Sequence, residues 1–322
     1  MKNTSTQIAN MKNQTIGVEI EMTRITRSRA AEIAAKLFES YIDPCGQDLN
    51  VEFMGGSYRT WRTWDSRGRE WKFSYDSSII GREEEKCELI TPILEYTDIA
   101  LLLELLKRLR QAGAVSDAEH GCGIHVHIGA ADHTPQSLRN LVNIMAGHEE
   151  LLVDAIGIDR SGNRYGYYCK PVNPAFLGAI NALKPQAMED LANIWYAAYD
   201  EDIPRSRHYH PSRYHMLNLH AVFTKGTVEF RMFQFDEHSY LAAGGICGEQ
   251  LKAYIQLCLA MNQLAKDLKY ASPKPPQTEN PKYAMRTWLL RMGFIGSEFA
   301  DARNFLTMRL AGNSAFRSIN VA

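Results

Sequence analysis

A chain of 322 residues, 45% hydrophobic and 23% charged, carries enough apolar material for a sizeable core. Its 36 basic and 37 acidic residues leave a net charge of −1 with no basic stripe. That argues against a polynucleotide partner, because phosphate contacts supply most of the affinity in such proteins.

Residues 1–14 are polar, lack the apolar core of a signal peptide, and are expected to fray. Thr15–Met22 alternates apolar and acidic residues with period two, the mark of a strand with one polar face. A helix is predicted over Arg29–Ser40 with Ser28 as its N-cap and Ala30, Ile33, Ala34, Leu37 and Phe38 on one stripe. Short strands follow at Val51–Phe53, Tyr58–Trp64, Glu70–Tyr75 and Lys86–Thr91, the last closed by Pro92. Thr97–Gln111 is predicted as a helix with a leucine stripe, basic last turns and Gly113 as its stop. Its apolar run, broken by Glu104, is far too short to span a membrane.

Gly123–Gly129 reads as a strand between glycines, and Thr134-Pro135 caps a long helix to about Ile156. A short helix is expected over Pro185–Tyr196, then an Arg- and His-rich loop. Tyr214–Phe223 and Thr227–Phe235 read as two strands of a hairpin turning at Lys225-Gly226. His238–Lys269 is expected to be mostly helical, with Gly244, Gly245 and Gly248 weakening its first turns. The implied organisation is a catalytic domain over 15–270, a Pro-rich linker at 271–282 and a small helical appendage with a tail at 283–322. The class is α+β, a largely antiparallel sheet backed by helices. Six scattered cysteines without C-x-x-C spacing read as reduced thiols, so the expected location is the cytoplasm, with no membrane partner.

Four strands carry polar chemistry. Glu19 and Glu21 sit at i and i+2 and so project to one face about 7 Å apart. This is either an ordinary wet face or a pair of hard oxygen donors suited to Mg²⁺ or Mn²⁺. His125 and His127 repeat the spacing between Gly121, Gly123 and Gly129, as metal ligands or as hydrogen-bonded polar-face residues. Glu229 and Arg231 share a face, either as an ion pair worth under about 1 kcal/mol or as a metal ligand beside a phosphate clamp. Glu88 is the one charge in an otherwise apolar strand and needs a partner or a metal. Taken together, four acids and two imidazoles on one sheet face would demand divalent cations. His133, His148 and His238 fit helix starts or surfaces, and Trp61, Trp64 and Trp71 fit the far side of the sheet.

In this order, Gly17-Val-Glu19-Ile-Glu21, Gly121-Cys-Gly-Ile-His125-Val-His127 and Val228-Glu229-Phe-Arg231 resemble the glutamine synthetase superfamily, and the surrounding sequence is similar to its amidoligase family of carboxylate–amine ligases. The Cys87–Pro92 strand, Arg164-Tyr165 and Arg213–Asn218 look like secondary landmarks, and the resemblance spans about residues 15–265. It implies a curved, glutamine synthetase-like sheet. It implies Glu19, Glu21, Glu88, His125 and Glu229 as metal ligands, Asp76 as a candidate further acid, and His127 close to the phosphates. Arg231 would hold the γ-phosphate, and Arg213 a phosphate or carboxylate. Arg231, Arg213 and Glu21 are the expected catalytic groups, with ATP and Mg²⁺ (or Mn²⁺) as cofactors. The implied reaction is amide formation between a small-molecule or peptide carboxylate and an amine through an acyl phosphate, with the loop around Arg205–His210 as a candidate lid. A guanidino-kinase-like phosphotransferase, a non-catalytic nucleotide-binding module and a His-based metal centre are the alternatives, and an oligomer is compatible with the superfamily.

Overall fold

The computed structural model describes residues 4–162, 164–199, 202–235 and 245–317. Among these, the strands are β1 (Ile16–Met22), β2 (Val51–Gly55), β3 (Thr60–Trp64), β4 (Glu70–Ser74), β5 (Cys87–Ile90), β6 (Ile124–Gly129), β7 (Leu217–Asn218) and β8 (Thr227–Phe233). The α-helices are α1 (Thr4–Lys12), α2 (Arg27–Phe38), α3 (Ile99–Gln111), α4 (Pro135–Ile156), α5 (Pro174–Leu183), α6 (Met188–Tyr196), α7 (His220–Lys225), α8 (Gly248–Asp267), α9 (Pro281–Arg291) and α10 (Ala300–Phe305). None is long and apolar enough to cross a membrane.

The chain forms two compact units. One comprises Met1–Gln14, His127–Met232 and Ala253–Ala322; the other comprises Thr15–Val126 and Phe233–Lys252. In the second unit the strand order is β2-β3-β4-β5-β1-β6, and the pairings from β2 through to β1 are antiparallel. In the first unit the order is β6-β8-β7, with β7 antiparallel to β8. The boundary between the units falls between Val126 and His127. The α+β, antiparallel class expected from the sequence is therefore present.

Period-two patterning explains the strands. On β1, Ile16, Val18, Ile20 and Met22 are buried on one side, which leaves Gly17, Glu19 and Glu21 for the other. Trp71 and Phe73 of β4 are also fully buried, and Trp71 packs on Phe38 of α2 with ring centroids 4.9 Å apart. Helix α2 starts two residues earlier than expected because Thr26, not Ser28, is the cap; its hydroxyl accepts from Arg29 N at 3.2 Å. Helix α3 buries Leu102, Leu105, Leu106 and Leu109, as its stripe implies.

Four expectations need correction. The N-terminal segment is helical as α1, with Met11 buried, Lys12 paired to Glu298 at 2.7 Å and Gln14 donating to Leu259 O at 2.9 Å. The Tyr214–Phe223 strand shrinks to the two-residue β7. It gives way to α7 because the Asn218 side chain accepts from His220 N at 2.8 Å and turns the chain into a helix that Gly226 ends with φ +70°. A second helix, α5, precedes the expected one at α6. The proline-rich stretch is no free linker: Asn140 and Asn143 of α4 hold Leu268 O and Ala271 O at 2.6 and 2.9 Å, and residues 271–317 belong to the same unit as α4. Residues 236–244, where the last long helix was expected to begin, lie outside the described residues; α8 is present from Gly248.

Candidate metal and anion sites

In the second unit, the β1–β5 register places Glu21 directly opposite Glu88. Like charges facing each other across an antiparallel pair are destabilising. Asp76 joins them from the segment after β4, so that ligand oxygens of Glu21, Asp76 and Glu88 lie within 4.8 Å of one another. A second group forms from Glu19, Glu88 and His125 within the same limit, with His125 Nδ1 3.1 Å from Glu19 Oε2. Glu88 is common to both. Glu21 is buried, and its Oε2 accepts from Gly123 N at 2.6 Å, which fixes the carboxylate against the start of β6. Asp76 Oδ1 accepts from Ser78 N and Ser78 Oγ at 2.7 and 2.6 Å, an Asx turn that orients the acid. Gly121 lets the neighbouring loop come close: it has φ +69°, and a Cβ there would lie 3.3 Å from Ser78 O.

The chemistry of these donors suits a divalent cation. Three carboxylates offer hard oxygens, the preference of Mg²⁺, and one added imidazole widens the set to Mn²⁺. Of the residues singled out in the sequence for this unit, Glu19, Glu21, Glu88 and His125 thus gather in overlapping groups, and Asp76 is brought to them.

In the first unit, Glu229 and Arg231 lie on the same face of β8, with Val228, Phe230 and Met232 fully buried on the other. Arg231 Nη1 donates to Glu229 Oε1 at 2.5 Å, and Asn218 Nδ2, directly opposite on β7, donates to Glu229 Oε2 at 2.7 Å. The ion pair that is the ordinary reading of this motif is therefore formed, in a buried setting. His127 Nδ1 sits 2.9 Å from Thr227 Oγ1, and its Nε2 is 3.8 Å from Glu229 Oε1. Arg164, in a π-helical turn over Arg164–Tyr168, donates from Nη2 to Arg231 O at 3.0 Å, and the Arg231 guanidinium lies over Tyr214 at 5.9 Å. Sequence reasoning missed Asn218 as the second holder of Glu229; its place at the end of the Arg213–Asn218 landmark was the available signal.

Arg213 is buried and donates from Nη1 to His208 O at 3.0 Å, with its guanidinium over Tyr209 and Tyr214. It lines a cavity of about 190 Å³ whose walls include Asn218, His220, Lys225 and Glu229, with Ser206 and His208 exposed at the rim. His220 brings no positive charge to this cavity at neutral pH. Burial, reinforced by the neighbouring His210 and the Arg213 guanidinium, pushes its imidazole down to about 4. Its Nδ1 faces the Tyr196 hydroxyl at 2.5 Å.

The histidines assigned to structure have structural partners. His133 is buried between Ser137 Oγ and Asn262 Oδ1, both at 2.9 Å, and His148 stacks on Trp288 with centroids 4.0 Å apart. His238 lies outside the described residues.

With this geometry in hand, comparison with known proteins is direct. Residues 12–262 match the family described as "putative amidoligase enzyme", and the chain belongs to that family. Among solved structures, the chain is similar to a bifunctional glutathione synthetase from Pasteurella multocida, at 12% identity and a TM-score of 0.45. The match covers 95% of this chain and 48% of that one, so this chain spans about half of that protein's length. No curated protein sequence matches it.

Proposed function

We propose that this protein is an ATP- and Mg²⁺-dependent carboxylate–amine ligase with a glutamine synthetase-like catalytic sheet. The observation that carries the reading is the direct opposition of Glu21 and Glu88 on paired strands with Asp76 alongside, a like-charge group that a divalent cation would neutralise. Membership of the amidoligase family supports the choice of amide formation over other uses of such a site.

Glu19, Glu21, Glu88 and His125 would hold the metal, with Asp76 as the further acid and Glu229 added by the family pattern. Bound there, the cation supplies charge neutralisation for phosphoryl transfer. Arg231 is the clamp for the γ-phosphate: Glu229 holds its guanidinium in place, and a planar fork binds phosphate oxygens in a bidentate manner. His127 lies on the same strand as His125, two residues on, and takes the phosphate-proximal role. In the reaction, a substrate carboxylate oxygen attacks the γ-phosphorus of ATP, releasing ADP and giving an acyl phosphate. An amine nitrogen then attacks the acyl carbon, the C–O bond to phosphate breaks, and the ammonium's two surplus protons leave with phosphate and to solvent.

The test is phosphate release from ATP and Mg²⁺ across a panel of amino acids, amines and peptides, read together by mass spectrometry for a condensation product lacking one water. Phosphate release that requires both a carboxylate and an amine, with such a product, is the expected outcome. Phosphorylated product without amide would assign a phosphotransferase instead.

A further inference from the structure

In the unit that holds Glu21, Asp76 and Glu88, a cluster of the opposite sign gathers on one ring. The guanidiniums of Arg27 and Arg59 each lie 5.5 Å from the centre of the Tyr75 ring, and Lys86 Nζ lies 5.8 Å from it. A tyrosine face attracts cations but carries no net charge, so it collects them without neutralising them. Among the described residues, the one carboxylate paired with this group is that of Glu83, 3.4 Å from Lys86 Nζ and 3.8 Å from Arg59 Nη1. Its Oε1 also accepts from the Tyr75 hydroxyl at 3.1 Å. Three cations against one acid leave two positive charges in excess. The Glu83 side chain is 58% exposed and its ion pairs are long, which makes it a weak and displaceable counter-ion.

Arg27 is the buried member of the cluster. Its Nη1 donates to the backbone oxygens of Glu83 and Lys86 at 3.1 and 2.5 Å, while its Nε has no hydrogen-bond partner. A buried guanidinium N–H without an acceptor is costly, and an anion is the acceptor that suits it best. The chain ties this cluster to the acidic groups. Asp76 follows Tyr75 directly and Glu88 lies two residues after Lys86, so their Cα positions are about 4 and about 7 Å apart. A small ligand can therefore reach both.

We propose that the Tyr75 cluster is an anion site, and that the carboxylic acid substrate carries a second anionic group, carboxylate or phosphate, which Arg27, Arg59 and Lys86 hold. The reacting carboxylate of the same molecule then lies at the acidic, cation-binding groups. The inference rests on the ligase reading and narrows its acid substrate. Glu83 is the built-in competitor: its carboxylate keeps the place of the second anionic group until the ligand displaces it.

Binding is measured by titration calorimetry on the full chain in saturating Mg²⁺, without nucleotide. The probes are the α,ω-dicarboxylates from succinate to suberate, the phosphonocarboxylates of matching length, and the monocarboxylates that lack the second anionic group. At least one doubly anionic probe should bind roughly ten- to a hundredfold more tightly than its monocarboxylate, and the better of the two series identifies the second group as carboxylate or phosphate. Arg59→Gln and Lys86→Gln, neither at a buried position, should each remove severalfold of that advantage and together most of it. Arg27 is left intact because it also holds the Glu83–Lys86 backbone. Glu83→Gln should instead tighten binding severalfold, since it removes the competing carboxylate; a Glu83 with a structural role alone would not give that sign. The proposal is overturned if no doubly anionic probe outbinds its monocarboxylate, if the advantage survives the double variant, or if Glu83→Gln binds no more tightly than wild type. Because binding is read without ATP, the expected pattern in a protein that forms no amide would refute the ligase reading and leave the anion site standing. Amide formation from monocarboxylates and doubly anionic acids at equal kcat/KM would do the reverse.

Discussion

The acidic group around Glu88 makes a quantitative prediction about stability. With ligand oxygens within 4.8 Å, two ionised carboxylates repel by about 3 kcal/mol at an effective dielectric constant of about 20. Because Glu88 and Asp76 are partly exposed, solvent screening brings this to roughly 1–2 kcal/mol. A divalent cation binding the folded state should reverse that penalty. At a concentration about a hundredfold above its Kd it adds about 2.7 kcal/mol, which for a chain of this size raises the melting temperature by about 5 °C. Removing one charge should have opposite effects in the two conditions. In EDTA, Glu88→Gln should melt at or above the wild-type temperature, since it relieves repulsion in both acidic groups that share Glu88. In saturating Mg²⁺ or Mn²⁺ it should show a shift of under about 1 °C, because both groups lose a ligand. Glu84→Gln, an exposed acid paired to Arg82 in the preceding 3₁₀ turn, should retain the full cation shift. Thermal melts by circular dichroism at matched ionic strength decide it. A Glu88→Gln protein stabilised by the cation as strongly as wild type would show that these carboxylates do not hold one.

Three further outcomes follow from particular contacts. Arg231→Lys should lower turnover by roughly a hundredfold or more, since an ammonium cannot reproduce the fork that Glu229 holds; near wild-type phosphate release in this variant would reduce Arg231 to a structural ion pair. Burial holds the His133 imidazole down to about 4, against about 6.5 in the unfolded chain. Its stabilisation is therefore complete above about pH 6.5 and is lost as pH falls toward 4, amounting to up to about 2 kcal/mol by pH 5; His133→Gln should flatten the pH dependence of the urea midpoint between pH 7.5 and 5, and an unchanged slope would contradict the assignment. Asn140 is fully buried and bonds Ala265 O, Leu268 O and Ala271 N, so Asn140→Ala should cost about 3 kcal/mol and open the 271–282 segment to proteases, which intact resistance would refute.

What could be read in advance divides along a physical line. Period-two alternation exposes the chemistry of a strand directly: once Ile20 and Met22 must be inside, Glu19 and Glu21 must face the other way, and the same logic places His125 with His127 and Glu229 with Arg231. Registers and tertiary side-chain contacts carry no such local signal. That Glu21 stands opposite Glu88, and that Asn218 reaches Glu229, depend on which residues pair across strands far apart in the chain. The same limit explains two of the misread segments. Leu217–Phe223 follows Tyr214 as a largely apolar run next to a β-turn signal, yet one hydrogen bond donated by the His220 backbone N–H to the Asn218 side chain is enough to start a helix. The 271–282 stretch has the prolines of a flexible linker, and what pins it is a pair of asparagines on α4 about 130 residues earlier. Composition reports how a segment behaves alone; Asn140, Asn143 and Asn218 act by satisfying someone else's backbone, which becomes visible only when the partners are brought together.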